Sequence, residues 1–404
     1  MTPEPPAPGQ SPKPRVAVVF GGRSSEHAIS CVTAGSVLAA IDPEAYEVVP
    51  VGIAPDGRWV LESADPERLR ITTSGALPAV DAGGASLSLA PGGDADGRAG
   101  LVVTDPGSPP RALGEVDVVF PLLHGPWGED GTLQGMLEMS GVRYVGAGVL
   151  ASAVGMDKAF LKVVLRDAGL PVMPSVTVTR AAWQADAADV LGRLRGLADD
   201  GAGARRPVFV KPARGGSSMG IAKVGDVTDA DAVRRALEGA FEHDPKVLVE
   251  LAAEGAREVE CGVLDRLPDG TGGSGAGGSG AGPETSVPAE VLVGDDHDFY
   301  DFEAKYLPEQ STRTVIPADL DPALTARVRT LSARAFATVG CEGLARVDFF
   351  VMPDGSLVVN EINTMPGFTP TSMFPQMWAA TGLSYPDLVD RLIRLALARG
   401  TGLR

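Results

Sequence analysis

The sequence predicts an α/β fold that begins with a doubly wound domain built on a parallel sheet. An apolar strand, RVAVVF at 15–20, is followed by GG and then by apolar residues at helical spacing over 29–41. A second buried strand, VDVVFPLL, spans 116–123. Strands that alternate with helices favour a parallel sheet, whose ligands bind at the carboxyl ends of the strands. The polar segments GGRSSEH and HGPWGEDG begin at two such ends, so we expect both at a binding site.

The later elements continue the mixed pattern. A polar stretch rich in Gly, Ala and Asp, at about 62–112, is interpreted as irregular. A helix is predicted from near Asp157 to Gly169, a residue type that suits a helix end. VFVKP, GIAKV, KVLVE and EVECGVL have strand character, and YPDLVDRLIRLALARG is predicted to form an amphipathic helix.

Composition narrows the class of protein. A chain of 404 residues is expected to hold two or three domains. The net charge of −17 argues against a nucleic-acid partner, and no apolar run is long enough to cross a membrane. Cys31, Cys261 and Cys341 lie far apart in sequence, which suits a reducing cytoplasm. Residues 1–14 are Pro-rich and are expected to be a disordered tail rather than a signal peptide.

Residues 269–283 form a low-complexity segment, DGTGGSGAGGSGAGP. The segment contains a GxGxxG pattern at Gly273, Gly275 and Gly278, but Gly/Ser repeats create such matches by chance. No strand runs directly into the pattern and no helix opens after it, so a dinucleotide site is rejected. We interpret the segment as a flexible surface loop between two strands.

The stretch VFVKPARGGSSMG, residues 208–220, combines a lysine with a glycine-rich loop in an unusual order. A Walker phosphate loop places its glycines first and its lysine last, at the start of a helix. Here Lys211 closes a strand and the Gly/Ser loop follows it. The pattern therefore indicates a phosphate site of another design.

The most informative segment is ARVDFFVMPDGSLVVNEINTMPG, residues 345–367. Asp354-Gly355 predicts a hairpin with a two-residue turn. In that register Arg346 faces Asn363 and Asp348 faces Glu361, all on one side of the sheet. The alternative is an exposed charge ladder, but opposed carboxylates need a counter-ion and the flanks are apolar.

Oxygen ligands paired in this way suit Mg²⁺, which is commonly shared with nucleotide phosphates. We therefore expect Asp348, Glu361 and Asn363 to bind the metal. Arg346 beside the metal would stabilise charge that develops during group transfer.

A strand-end lysine before a Gly/Ser loop, together with a metal site, resembles the ATP-grasp fold, in which two α+β subdomains clamp ATP. The segments that carry a closer resemblance occur in order from about residue 15 to 400: VVFGGRSSEHAIS, LHGPWGEDGTLQG, GMDKAFLK, VKPARGGSSMG, FYDFEAKY, ARVDFF and NEINTMPGFTPTSMFP. Together they resemble the signatures of the D-alanine–D-alanine ligase family.

The resemblance implies ATP-dependent joining of two D-alanines through an acylphosphate, for peptidoglycan precursor synthesis. It also implies two Mg²⁺ ions, with Mn²⁺ as an alternative, and a cytoplasmic homodimer. The implied domains are a tail at 1–14, an α/β substrate domain at 15–152, a central ATP-grasp subdomain at 153–254 and a C-terminal ATP-grasp subdomain at 255–404. The central subdomain carries the Gly/Ser flap, and the C-terminal one carries the metal site, an active-site loop and the insertion at 269–283.

The family's ATP site is carried over onto matching positions. Lys158 and Lys211 would hold the α- and β-phosphates, and Lys305 would contact the γ-phosphate. The remaining residues implied at the nucleotide are the flap residues Gly216, Ser217 and Ser218, the adenine neighbours Glu250 and Leu251, the ribose ligand Glu258, and Asn363. Ala213 and Gly215 stand where the family commonly has Ser and Glu, which bears on the stiffness of the flap.

The family's amino-acid site is carried over in the same way. Glu26 would bind the ammonium of the first D-alanine, with His124 beside it. The other implied residues are Tyr306 and Ser217, hydrogen-bonded with Glu26, the oxyanion hole of Arg346 and the Gly367 amide, and Ser372 and Met373 at the carboxylate of the second D-alanine.

Alternatives remain at this stage. Taken singly, Glu26 could be a helix-start carboxylate, His124 a structural histidine, and the lysines and strand-end glutamates solvated surface groups. The acceptor could be D-lactate or D-serine, although Tyr306 favours a dipeptide ligase. Another ATP-grasp carboxylate–amine ligase and a non-catalytic nucleotide-binding regulator are further alternatives.

Overall fold

The computed structural model describes residues 12–71, 77–90, 96–105, 107–199, 201, 205–216, 219–268, 282–293 and 312–401. In these ranges the chain has a mixed α/β fold with three sheets. Predictions for Ser217, Ser218, Lys305 and Tyr306, for the tail at 1–11 and for most of the Gly-rich insertion lie outside the described residues.

The first sheet has eight strands in the order β6-β5-β4-β3-β2-β1-β7-β8. Their bounds are β1 Arg15–Gly21, β2 Glu47–Ile53, β3 Trp59–Leu61, β4 Ser86–Leu89, β5 Ala99–Thr104, β6 Arg111–Val116, β7 Val118–Pro121 and β8 Arg143–Tyr144. The predicted parallel arrangement is confirmed for β2-β1-β7-β8. Val18 and Phe20 of β1 enter one core while Ala17 and Val19 enter another, so β1 is buried on both faces.

The interpretation of residues 62–112 as irregular is wrong for part of that stretch. It contains a 3-10 helix at Pro66–Leu69 and the strands β4, β5 and the start of β6. These strands extend the sheet in antiparallel fashion beyond β3. In β5, Ala99, Leu101 and Val103 are buried and alternate with partly exposed residues, as in a sheet with one covered face. The small and polar residues between them obscure this period in the sequence.

The second sheet is antiparallel, with four strands in the order β11-β10-β12-β9. The strands are β9 Ser175–Thr179, β10 Val208–Pro212, β11 Ala222–Val224 and β12 Lys246–Leu251. The helices of this region are α5 Arg180–Ala185, α6 Ala187–Ala198 and α7 Ala230–His243. Leu194 and Leu237 from these helices pack with Val210 and Val249 in one core, which fixes β10 and β12 beneath the flap.

The third sheet has six strands, with β16-β15-β13-β17-β18 as its main path and β14 paired to β13. The strands are β13 Arg257–Leu264, β14 Glu284–Thr285, β15 Ala289–Val293, β16 Thr312–Val315, β17 Leu344–Val351 and β18 Leu357–Asn363. Three helices pack near it: α3 Val149–Met156, α4 Lys158–Asp167 and α8 Pro322–Val339. The predicted helix after Asp157 is confirmed, with Asp157 as its N-cap.

Two last helices, α9 Met373–Thr381 and α10 Tyr385–Ala398, return the chain to the first sheet. The preceding helices of that region are α1 His27–Ala40 and α2 Thr132–Met139. Leu388 and Leu392 of α10 share a core with Val18, and the Tyr46 hydroxyl donates to Asp390 at 2.7 Å. The first strand and the last described helix are therefore packed together. Within the described residues, none of the helices has the length and apolar character needed to cross a bilayer.

Candidate active site

A cavity lies where the second and third sheets meet. Ten of the residues predicted for the site line it: Lys158, Lys211, Gly216, Glu250, Leu251, Glu258, Arg346, Asp348, Glu361 and Asn363. They come from α4, β10, the flap, β12, β13, β17 and β18. The structure thus brings together side chains that are more than 200 residues apart in sequence.

The β17–β18 hairpin has the predicted pairing at its far end but a different turn. Arg346 pairs with Asn363 and Asp348 with Glu361, as predicted. The two-residue turn is wrong, because the Met352 carbonyl accepts from Gly355 and the Met352 N–H donates to Ser356. This turn is one residue longer, with Gly355 at a φ of 77°.

A β-bulge corrects the register further along the hairpin. The pairing shifts between Asp348 and Phe349, where Asn360 is the extra residue of β18. The longer turn and the bulge move the pairing by one residue in opposite directions. The acidic residues consequently face each other as though neither irregularity were present.

Arg346 is the cation at the centre of the acidic residues. It donates from Nε and Nη2 to the two oxygens of Asp348, both at 2.7 Å, and its Nε lies 3.1 Å from Glu260 Oε2. Burial opposes the charged form, but these carboxylates hold the pKa of Arg346 well above its usual value. The guanidinium is therefore fixed in place before any ligand binds.

Glu260 is a site residue that sequence reasoning missed. It lies on β13 directly opposite Asp348, so three carboxylates occupy adjacent positions across β13, β17 and β18. The signal was available, because alternation along EVECGVL places Glu260 on the same face as the predicted Glu258.

The predicted metal ligands lie together on the hairpin. The Asn363 amide donates to Asp348 at 2.9 Å, so its carbonyl oxygen is the atom that could bind a cation. Glu361 lies 3.5 Å from the ammonium of Lys158. In the described part of the chain, no three His, Cys, Asp or Glu side chains are placed so that they could hold a metal ion by themselves. Two carboxylates nevertheless fit Mg²⁺, since this ion keeps several waters and takes substrate phosphates as further ligands.

A second group of charges surrounds Glu250, which is 2% exposed. Lys211 donates to its Oε1, and the ammonium of Lys162 lies 2.8 Å from its Oε2. Although burial favours the neutral acid, the two lysines lower the pKa of Glu250 to about 2. Lys162 was not predicted, and its only signal in the sequence is its position one helical turn after Lys158.

The base of the flap is fixed by Arg214 and Asp244. The backbone and side chain of Arg214 both donate to Asp244, with the Nη2 contact at 2.7 Å. The Lys158 ammonium donates to the carbonyl of Gly215 at 3.0 Å. A Cβ atom on Gly216 would lie 2.9 Å from Glu26 Oε2, so the flap approaches this carboxylate as closely as glycine allows.

Three titratable groups meet below the flap, at the ends of β1 and β7. Glu26 precedes α1 and is 6% exposed, and His124 is also buried. Burial lowers the pKa of His124, although Glu26 opposes that shift. Glu129, which was not predicted, accepts from the Gly125 N–H at 2.6 Å. Burial, and secondarily the charge of Glu26, raises the pKa of Glu129 to about 8.

The remaining predicted residues stand at the start of α9. Ser372 precedes the helix, and its Oγ accepts from the Thr369 N–H at 3.1 Å. A Cβ atom on Gly367 would lie 3.2 Å from that Oγ, so Gly367 and Ser372 are neighbours. Met373 is the first residue of α9.

Known proteins resemble the chain over nearly its full length. Two family models match: D-ala D-ala ligase N-terminus over residues 15–147 and D-ala D-ala ligase C-terminus over residues 164–394. The D-alanine--D-alanine ligase of Paenarthrobacter aurescens is 54% identical over 393 residues, which cover 97% of each chain.

Solved structures agree with this assignment. The D-alanine-D-alanine ligase of Coxiella burnetii is 31% identical, with a TM-score of 0.72 over 96% of this chain and 94% of that one. VanG D-Ala:D-Ser ligase of Enterococcus faecalis is also 31% identical, with a TM-score of 0.74 over 95% of this chain and 100% of that one. The fold is accordingly an ATP-grasp fold behind an N-terminal α/β domain, and the chain belongs to the D-alanine–D-alanine ligase family.

Proposed function

We propose that this protein joins two D-alanine molecules into D-alanyl-D-alanine at the expense of ATP, for peptidoglycan precursor synthesis. The observation that carries the proposal is the cavity that Asp348 and Glu361 line together with Lys158 and Lys211. Oxygen ligands and cations placed around one cavity suit the phosphates of a nucleotide and their metal. Because ATP is abundant in the cytoplasm, we place the reaction there.

The nucleotide would lie between the second and third sheets. Lys158 and Lys211 are assigned to its phosphates, Glu250 and Leu251 to adenine, and Glu258 to the ribose. The flap residues Gly216, Ser217 and Ser218 would close over the phosphates, and Lys305 would reach the γ-phosphate. The members of this set that the structure describes all line one cavity, which supports their assignment to the nucleotide.

Asp348, Glu361 and Asn363 are assigned to Mg²⁺, with two ions and with Mn²⁺ as an alternative. When bound, the metal would neutralise phosphate charge. Lys158, 3.5 Å from Glu361, would hold the phosphates next to these oxygens.

The reaction would proceed in two steps. A carboxylate oxygen of the first D-alanine attacks the γ-phosphorus of ATP and displaces ADP, which gives an acylphosphate. The amine of the second D-alanine then attacks the acyl carbon, and the tetrahedral intermediate expels phosphate while the amine loses its proton. Arg346 and the Gly367 amide would stabilise the oxyanion, because Arg346 is already fixed by two carboxylates.

The amino-acid subsites would follow the N-terminal domain and α9. Glu26, a buried carboxylate, would bind the ammonium of the first D-alanine beside His124. Ser217 and Tyr306 would complete a hydrogen-bonded set with Glu26. Ser372 and Met373 would bind the carboxylate of the second D-alanine at the N-terminal end of a helix, which favours an anion.

The direct test is release of phosphate from ATP in the presence of D-alanine, with the product identified by mass. We expect phosphate release that requires D-alanine and yields the dipeptide. D-serine or D-lactate in the product would indicate another acceptor, as in the relative named a D-Ala:D-Ser ligase. ATP binding without turnover would favour a regulator and overturn the proposal.

The proposed domains are 15–152, 153–254 and 255–404, after a tail at 1–14. We also propose that the protein forms a homodimer. Met136 and Met139 on α2 and Val149 and Leu150 on α3 are exposed apolar side chains on two contacting helices. Burying such a patch against a second copy would stabilise a dimer. Light scattering should give twice the chain mass, and Met139→Glu should shift it to the monomer; an unchanged dimer would exclude this face.

A further inference from the structure

We propose that Lys162 is a positioning residue that balances the charge of Glu250 and so leaves Lys211 available for the nucleotide phosphates. This inference rests on the proposed function, in which Lys211 binds phosphate and Glu250 binds adenine. It gives a role to a buried lysine that lies outside the cavity.

Two lysines are placed around one carboxylate. Each oxygen of Glu250 has its own lysine, Lys211 at Oε1 and Lys162 at Oε2. Lys211 lines the cavity, whereas Lys162 does not. The Lys162 side chain is 3% exposed and that of Lys211 is 12% exposed. One lysine therefore stands at the cavity and the other stands behind the glutamate.

The three side chains are held by two paired strands and a helix. Lys211 and Glu250 lie on β10 and β12, which pair so that Glu250 faces Phe209, two residues before Lys211. Lys162 comes from α4, which contacts β12 and whose N-cap Asp157 is paired with Lys246 of the same strand. Ser175, the partner of Glu250 on β9, carries no charge. Lys211 and Lys162 are thus the charged groups that face Glu250 from the packed elements.

Nucleotide binding would change the partners of Lys211. A phosphate in the cavity would draw the Lys211 ammonium away from Glu250. A buried carboxylate left without a cation is strongly disfavoured, so it would hold Lys211 back. With Lys162 in place, Glu250 stays compensated when Lys211 moves. Glu250 also stays ionised and can accept from the amino group of adenine.

The inference separates phosphate binding from adenine binding. In Lys162→Met, Lys211 stays on Glu250, so the glutamate remains an acceptor while the phosphates lose a cation. Calorimetry on the full chain with Mg²⁺ and the non-hydrolysable analogue adenylyl imidodiphosphate should show about tenfold weaker binding. Adenosine, which has no phosphate, should bind within about twofold of wild type by competition. Equal weakening of both ligands, or of neither, would overturn the inference.

Two further variants serve as matched controls. Lys162→Arg retains the cation and should bind the analogue nearly as the wild type does. Lys246→Met removes a lysine paired with Asp157 at the start of the same helix, and should leave the ratio of the two affinities unchanged. If Lys246→Met reproduces the loss for the analogue alone, the effect belongs to the helix and the inference is wrong.

A double-variant cycle decides the case in which Lys162→Met does not fold. Glu250→Gln removes the buried charge, yet its amide oxygen can still accept from adenine. In that background Lys162→Met should change the affinity for the analogue by less than about twofold, and a tenfold loss would overturn the inference. Because binding is measured without turnover, failure of wild-type protein to ligate D-alanine would contradict the proposed function and leave this test valid.

Discussion

Arg346 donates one hydrogen bond to each carboxylate oxygen of Asp348, and both are 2.7 Å long. The acid that faces Glu361 across the hairpin is therefore neutralised from its own strand. This arrangement explains how an Asp can face a Glu inside a cavity wall, since the guanidinium supplies the counter-ion that opposed carboxylates need.

Asp348→Asn and Glu361→Gln should both lose about 100-fold or more of the ligation rate, because each removes a proposed metal ligand. Their stabilities should differ. Asp348→Asn breaks the paired contacts to Arg346 and should cost about 1–3 kcal/mol of unfolding free energy. Glu361→Gln keeps the size of the side chain and weakens its 3.5 Å contact to Lys158, so it should cost less, about 1 kcal/mol. Urea unfolding and phosphate release check both points; near-normal turnover at ordinary Mg²⁺ would remove these residues from the metal site.

Glu129 should make the folded protein less stable as pH rises. Burial, and secondarily the charge of Glu26, raises its pKa from an ordinary value of 4.5 to about 8. Between these values the folded chain keeps a proton that the unfolded chain releases, so unfolding free energy falls with increasing pH. Glu129→Gln should remove this slope and, allowing for partial exposure, gain on the order of 1–2 kcal/mol at pH 8.

Urea unfolding between pH 5 and pH 8 measures that slope directly. Glu254→Gln, a change at an exposed carboxylate, is the matched control and should behave as wild type. A Glu129→Gln slope equal to that of wild type would show that Glu129 ionises normally in the folded chain.

The pairing of Asp348 with Glu361 was predicted from strand alternation and a two-residue Asp-Gly turn. It holds because the longer turn and the bulge shift the register in opposite directions. The bulge at Asn360 could not be predicted, since it depends on how the sheet bends and its shift is hidden by the longer turn. The same alternation could have predicted Glu260 as a site residue. Lys162 could not be predicted, because the sequence of a helix does not show which strand the helix will contact.

The strands of the first sheet also differ in how clearly the sequence predicts them. The apolar strand RVAVVF is buried on both faces and stands out in the sequence. The strands β4 and β6 carry small and polar residues, with burial confined to single positions such as Leu87 and Val116. Their pairing is decided by neighbouring strands rather than by their own residue preferences. For that reason residues 62–112 gave no clear signal.

Deleting residues 271–280 should leave ligation unchanged and shift the melting temperature by no more than about 2 °C. The contacts that hold the residues flanking the insertion lie outside the deleted stretch. Leu264 pairs with Glu284, and Arg266 lies 3.2 Å from that carboxylate and donates to the Gly282 carbonyl. Calorimetric melting and steady-state kinetics measure the two effects. A weaker affinity for ATP in the deletion would show that the rejected GxGxxG segment contributes to nucleotide binding.

Gly216→Ala should reduce ligation while leaving the protein folded. The new methyl group would lie 2.9 Å from Glu26 Oε2, a distance that forces the flap or the carboxylate to move. Either movement displaces the proposed ammonium ligand, so the KM for D-alanine should rise about tenfold or more. The melting temperature should change little, because Gly216 lies outside the helices and strands. Gly225→Ala is the matched control, since a Cβ atom there meets nothing within 4 Å. Steady-state kinetics of the two variants separate the outcomes: an unchanged KM in Gly216→Ala would mean that Glu26 and the flap do not form one site.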